Sequence, residues 1–126
     1  MIVLDGIALP TGLYWSDEFN ASAVAQTTRR TLDGSLVVFY SAQRAGLPIT
    51  LESQADSGWL QRHQVEALAL RAASPGGVYP LTLRGQTRAV MFRHHDAPAF
   101  EARPLVAVAT PQADDYYLAT LKLMTV

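Results

Sequence analysis

Residues 24–40 read VAQTTRRTLDGSLVVFY, and their reading decides the fold class. Val24, Gln26 and Thr28 alternate with Ala25, Thr27 and Arg29, which is the period of a strand and not of a helix. Asp33-Gly34 then supplies the strongest hairpin signal in the chain, because a tight turn between strands needs residues that tolerate positive φ. Ser35 to Tyr40 resumes as a β-branched and aromatic run. A chain that spends its clearest pattern on a hairpin is expected to be mostly β.

Working outward, the same period recurs on both sides. Ile2 to Leu4 and Ile7 to Leu9 are short apolar pieces separated by Asp5-Gly6, and Pro10-Thr11-Gly12 marks a further turn. Pro48 to Glu52 (PITLE) predicts a strand with Ile49 and Leu51 on one face. Val78 to Leu83 and Thr87 to Arg93 flank Arg84-Gly85-Gln86 as a hairpin with Val90 and Phe92 on a shared face. Arg103 to Thr110 (RPLVAVAT) predicts another strand, with Pro104 near its start, where a missing N–H is tolerated. Asp115 to Val126 alternates Tyr117, Ala119, Leu121 and Leu123 against Tyr116, Leu118, Thr120 and Lys122.

One helix interrupts this pattern. It is expected from about Trp59 to Ala73, capped by Asp56 or Ser57, with Val65, Leu68, Ala69 and Ala72 as its buried stripe. Ser74-Pro75-Gly76-Gly77 ends it. The expected fold is therefore mostly β (α+β): a β-sandwich or partly open β-barrel with one amphipathic helix packed against it. The 126 residues fit a single domain, residues 1–126, with no linker and no internal repeat.

Composition narrows function mainly by exclusion. Ten basic against eleven acidic residues give a formal charge of −1, which does not favour a polyanionic partner. The absence of cysteine removes disulfides, thiolate metal sites and cysteine nucleophiles. MIVLDGIALP lacks a basic leader and is broken by Asp5-Gly6, so no signal peptide is expected. No run reaches the roughly 18 apolar residues of a spanning helix. A soluble chain made in a cytoplasm, with no membrane partner, is the expectation.

The candidate sites follow from residue chemistry. His94-His95-Asp96 invites a metal reading, but in an extended segment adjacent histidines point to opposite sides, and His63 sits on the helix. No metal site is expected. There is no G-x-S-x-G, and the serines fall at turns or helix starts. Asp17 and Glu18 are adjacent acids of an ordinary surface. No catalytic residue, cofactor or enzymatic activity is expected. Arg29-Arg30 with Arg44, and the aromatics Tyr40, Phe92, Tyr116 and Tyr117, raise a nucleic-acid-binding barrel as an alternative, but alternating faces deny them one platform. The segment GIALPTGLYWSDEFNASA (residues 6–23) carries Leu13, Tyr14, Trp15 and Phe19 with weak periodicity. Residues 1–22 are thus a candidate N-terminal arm against a neighbouring subunit, since Trp and Tyr favour interface centres. His94, His95 and Asp96 join these four as candidate interface residues.

Taken in order, LDGIALPTGLYWSDEF, RTLDGSLVVFYSAQRAGLPITLES, GWLQRHQVEALALRA, YPLTLRG, VMFRHHDAPAFEARPL and DDYYLATLKLMTV give the chain a resemblance over nearly its full length. It resembles the distal-tail and tail-tip (baseplate) proteins of long-tailed double-stranded DNA bacteriophages. It departs from their pattern at Leu47, where an arginine is expected. The resemblance implies the fold of tail-tube and distal-tail subunits and a ring, commonly hexameric, joining the tail tube to the host-facing tip. It implies as partners the chain itself, the tail-tube protein and tip hub proteins. It places the protein in the virion tail tip, and in the host cytoplasm during assembly. A tail-assembly factor absent from the finished particle is the alternative from the same biology.

Overall fold

The computed structural model describes residues 1–20, 24–43 and 45–126. In chain order the strands are β1 (Ile2–Leu4), β2 (Ile7–Leu9), β3 (Tyr14–Trp15), β4 (Val24–Arg30), β5 (Leu36–Ala42), β6 (Pro48–Glu52) and β7 (Leu60–Gln61). The helix α1 (Arg62–Ala72) follows, then β8 (Tyr79–Leu83), β9 (Gln86–Phe92), β10 (Phe100–Pro104) and β11 (Tyr116–Thr125). Among the described residues the chain is mostly β with one helix, as its periodicity predicts.

β11 organises the main sheet. Its residues 120–124 pair with β6 while 117–121 pair with β10 and 123–125 with β9, so β6 and the β9–β10 pair must lie on opposite edges. β7 shares the β6 edge, where Tyr116 faces Gln61. The nine-stranded sheet runs β2-β1-β8-β9-β11-β6-β3, with β7 and β10 branching from β11. It ends at β2 and β3 and, among the described residues, is not closed into a barrel.

Alternation along β11 fixes which face is inside. Tyr117, Ala119, Leu121 and Leu123 are buried, and the last three meet Ile49, Leu51, Leu60, Leu68, Leu81, Val90 and Phe92 in one core. Two tight turns hold the register of the flanking hairpins. In each, both central residues adopt positive φ, Asp5 and Gly6 between β1 and β2, Arg84 and Gly85 between β8 and β9. That backbone twist matches the twist of paired strands. Gly12 and Gly58 cross so closely that a Cβ on either would stand 2.8 Å from the other's backbone.

The helix differs from its sequence reading in three ways. It begins at Arg62 and not near Trp59, because Leu60–Gln61 are taken as a strand by β11. Its N-terminus is Gln61, whose N–H donates to the Gln64 side chain at 2.9 Å, and not Asp56 or Ser57. Leu68 is buried and Val65 and Ala72 pack on the core, but Ala69 is exposed. The Arg71 guanidinium donates to Asp5 at 2.9 Å and ties the helix to the first turn.

One further expectation is corrected, and the N-terminal segment is placed. The strand at 103–110 ends at Pro104: Leu105 N–H still donates to Tyr116 O at 3.1 Å, but β11 begins at Tyr116 and among the described residues no pairing continues past it. Within the candidate arm of residues 1–22, strands β1 and β3 belong to the main sheet. β1 pairs with β8 and β3 with β6, so residues 2–15 supply sheet and core. Residues 21 and 22 lie outside those described.

β4 and β5 stand apart. They pair with each other from Val24↔Ala42 to Arg30↔Leu36 and, among the described residues, with no other strand.

Candidate functional site

All fourteen residues of β4 and β5 are exposed. In an antiparallel pair, residues directly opposite share a face. One face therefore carries Gln26, Thr28, Arg30, Leu36, Val38 and Tyr40, and the other Ala25, Thr27, Arg29, Val37, Phe39 and Ser41. The polar residues come mainly from β4 and the large apolar ones from β5, so each face is half apolar. Phe39 is 57% and Tyr40 76% exposed. A two-stranded hairpin alone is marginal in water, and contiguous exposed apolar surface of this kind marks an interaction site.

The hairpin's loop is well built. Thr31 N–H donates to Ser35 O at 2.8 Å and Gly34 N–H to Thr31 O at 3.0 Å. The Asp33 carboxylate accepts from the Thr31 hydroxyl and, at 3.1 Å, from Ser35 N–H. Those two donors, the Thr31 hydroxyl first, hold its pKa down from 3.8 to about 2. Gly34 at φ +85 permits the turn.

The residues singled out by sequence divide sharply. Leu13 is buried in the core. Trp15 is half buried, with the Arg84 and Arg88 guanidinium carbons 5.3 and 5.4 Å from its ring centroid. Glu18 pairs with Arg84 and so braces that stack. Tyr14 and Phe19 remain outward, Phe19 at 89% exposure. His94, His95 and Asp96 are exposed at the exit of β9, where Asp96 N–H donates to Arg93 O at 3.0 Å. Arg44, part of the basic-patch reading, lies outside the described residues. Phe92 and Tyr117 are buried, and Arg29 and Arg30 occupy opposite faces.

The structure joins two segments that the sequence presents separately. Arg93 lies 3.9 Å from both Asp17 and Asp96, and its guanidinium also donates to the Thr50 hydroxyl. Asp17 accepts from Thr50 N–H and from the Thr50 hydroxyl, both at 2.8 Å, while Asp96 faces Lys122 at 3.5 Å. Two acids meet two cations, and the Asp17 oxygens are both engaged by Thr50. The chemistry of this cluster is a polar lock between the 16–20 segment and the sheet. Among the described residues no group of three or more His, Asp or Glu is placed to hold a metal ion.

Sequence reasoning missed a second exposed surface. Leu105, Val106, Val108 and Tyr116 line an open groove of about 420 Å³ together with Asp114 and Asp115. Among the described residues neither carboxylate has a cation within 4.0 Å. Pro104, the last residue of β10, and Pro111 bracket the segment, and two prolines so spaced are the signal in the sequence that a long strand does not run through 105–110.

No family model matches the chain, and no solved structure matches it. The methylthioribose-1-phosphate isomerases of two strains of Thermus thermophilus are each 33% identical to it over 90 residues. The match takes in 64% of this chain and 26% of each isomerase, so the chain spans about a quarter of the length of these relatives. This corrects the expectation that the chain is not an enzyme, since proteins named for an enzymatic activity are similar to it. The expectation rested on missing nucleophile, metal and carboxylate spacings. A similarity spread over 90 aligned positions is not tied to any such spacing.

Proposed function

We propose that this chain is a structural component of a bacteriophage tail tip, working by self-association into a ring between the tail tube and the host-facing tip. The observation that supports this most is the β4–β5 hairpin, with exposed apolar side chains on both faces and two strand edges that no other described strand pairs. A surface of this kind is an aggregation hazard in a free monomer and is useful when neighbouring copies cover it. The ordered resemblance to distal-tail and tail-tip proteins supports the same reading and supplies the partners: other copies, a tail-tube protein and tip hub proteins. Quantitative mass spectrometry of purified particles tests it. The chain is expected in the particle at a fixed ratio to the tube protein. Presence in the lysate with absence from particles would leave the assembly-factor role instead.

The similarity to methylthioribose-1-phosphate isomerases favours a second reading, in which the chain shares a segment with an isomerase and takes part in chemistry of that kind. Incubating the purified chain with methylthioribose-1-phosphate and following the substrate by NMR decides it. Turnover abolished by Arg93→Ala would support the isomerase reading, and an unchanged spectrum would remove it.

A further inference from the structure

We propose that the face of the hairpin bearing Arg29, Val37 and Phe39 in one copy docks into the groove of Leu105, Val106, Val108 and Tyr116 in a second copy, with Arg29 meeting Asp114 and Asp115. This rests on the self-association reading and specifies which surfaces meet.

Two surfaces that the fold leaves open complement each other. The hairpin face offers Val37 and Phe39 beside Arg29, which has no carboxylate within 4.0 Å among the described residues. The groove is its converse, lined by four apolar side chains and by two carboxylates that have no cation within 4.0 Å among the described residues; Asp115 also accepts from Gln112 N–H at 2.8 Å, which leaves Asp114 the freer of the two. The opposite hairpin face suits the groove less well, because Arg30 there donates to Gly34 O at 3.1 Å and serves the hairpin's own turn. An apolar face with a cation at its margin and a groove lined by apolar groups and anions favour each other over solvent. Pairing suppresses the alternative in which two hairpins meet Arg29 to Arg29. Each copy carries one hairpin and one groove, so the contact is head-to-tail, the kind that generates a closed ring when its rotation closes.

The absence of cysteine makes the test direct. Thr27→Cys lies on the Phe39 face and Val108→Cys in the groove, both at exposed positions. Mixed and oxidised, the two variants are expected to form a disulfide-linked heterodimer, while each alone yields little. Cross-linking of Thr27→Cys alone as efficient as in the mixture would overturn the head-to-tail contact. So would a mixture that never cross-links. A charge exchange keeps the test independent of cysteine geometry. Arg29→Asp alone, and Asp114→Arg with Asp115→Arg, should each weaken association on the order of tenfold. Combining all three should restore it, and failure to restore would sink the pairing. Detection in particles is a separate readout: cross-linking without virion incorporation removes the tail role and leaves the contact standing.

Discussion

β11 and β5 are written in the same local language and end in opposite environments. Both carry branched or aromatic side chains suited to a strand, β11 in alternation and β5 as a run. In β11, four residues of one face are buried against β6, β9, β10 and the helix side of the sheet. In β5, every residue is exposed, although its apolar content is no lower. The difference is one of partners. β11 is flanked on both edges and covered on one face, whereas β5 pairs only with β4 among the described strands, and both hairpin faces stay exposed. Strand propensity therefore describes a surface ready to be covered and does not say by whom. In β11 the same chain supplies the cover; in β5 the proposed docking assigns it to another copy.

That contrast breaks most visibly by mutation. Leu121→Ala, in the middle of the spine and fully buried, should destabilise the folded chain by roughly 3 kcal/mol, on the order of 10 °C in Tm by calorimetry. Gly58→Ala should cost about 2 kcal/mol, since φ +75 and the 2.8 Å approach to Gly12 both resist a side chain. Phe39→Asp should leave the thermal stability of the monomer within about 0.5 kcal/mol, because an exposed position has no cavity to open. It should instead reduce self-association, measured by light scattering. A large Tm loss from Phe39→Asp in a monomeric sample would erase the distinction between the two strands.

A pH titration sharpens the comparison at the hairpin loop. Asp33 has a folded pKa of about 2 against 3.8 when free, so its contribution is present above about pH 4. It is lost as the pH falls through about 2. Loop amides of 31–35 should lose exchange protection over that window while β11 amides do not, and Asp33→Asn should remove the transition. Exchange measured by NMR reads both regions in one sample.

Much of this architecture is legible in the sequence. Asp5-Gly6, Asp33-Gly34 and Arg84-Gly85 announce three turns, the period of two locates β4, β6, β9 and β11, and the apolar run after Asp33-Gly34 locates β5. Where local pattern misleads, the deciding partner is distant in sequence. Leu60–Gln61 fit a helix start until Tyr116 and Tyr117 claim them as a strand. Leu105 to Thr110 have the composition of a strand, but beyond the bond from Leu105 N–H to Tyr116 O no ladder among the described residues receives them. Leu13 has the pattern of a loose arm residue, and only the placement of β3 against β6 buries it. Trp15 has the character of an interface anchor, yet its arginine neighbours come from the far hairpin of β8 and β9. Glu18 and Asp17 look like idle surface acids, but Arg84 and Arg93 use them as braces.

The central claim is that the β4–β5 hairpin is completed by another copy of the chain. Light scattering coupled to size-exclusion chromatography, run on the wild type and on Phe39→Asp at matched concentrations, tests it most directly. The expected result is a wild-type mass that is a multiple of 13.7 kDa and a variant that elutes as the folded monomer. A wild type that stays monomeric at every concentration, or a variant that assembles as the wild type does, would contradict it.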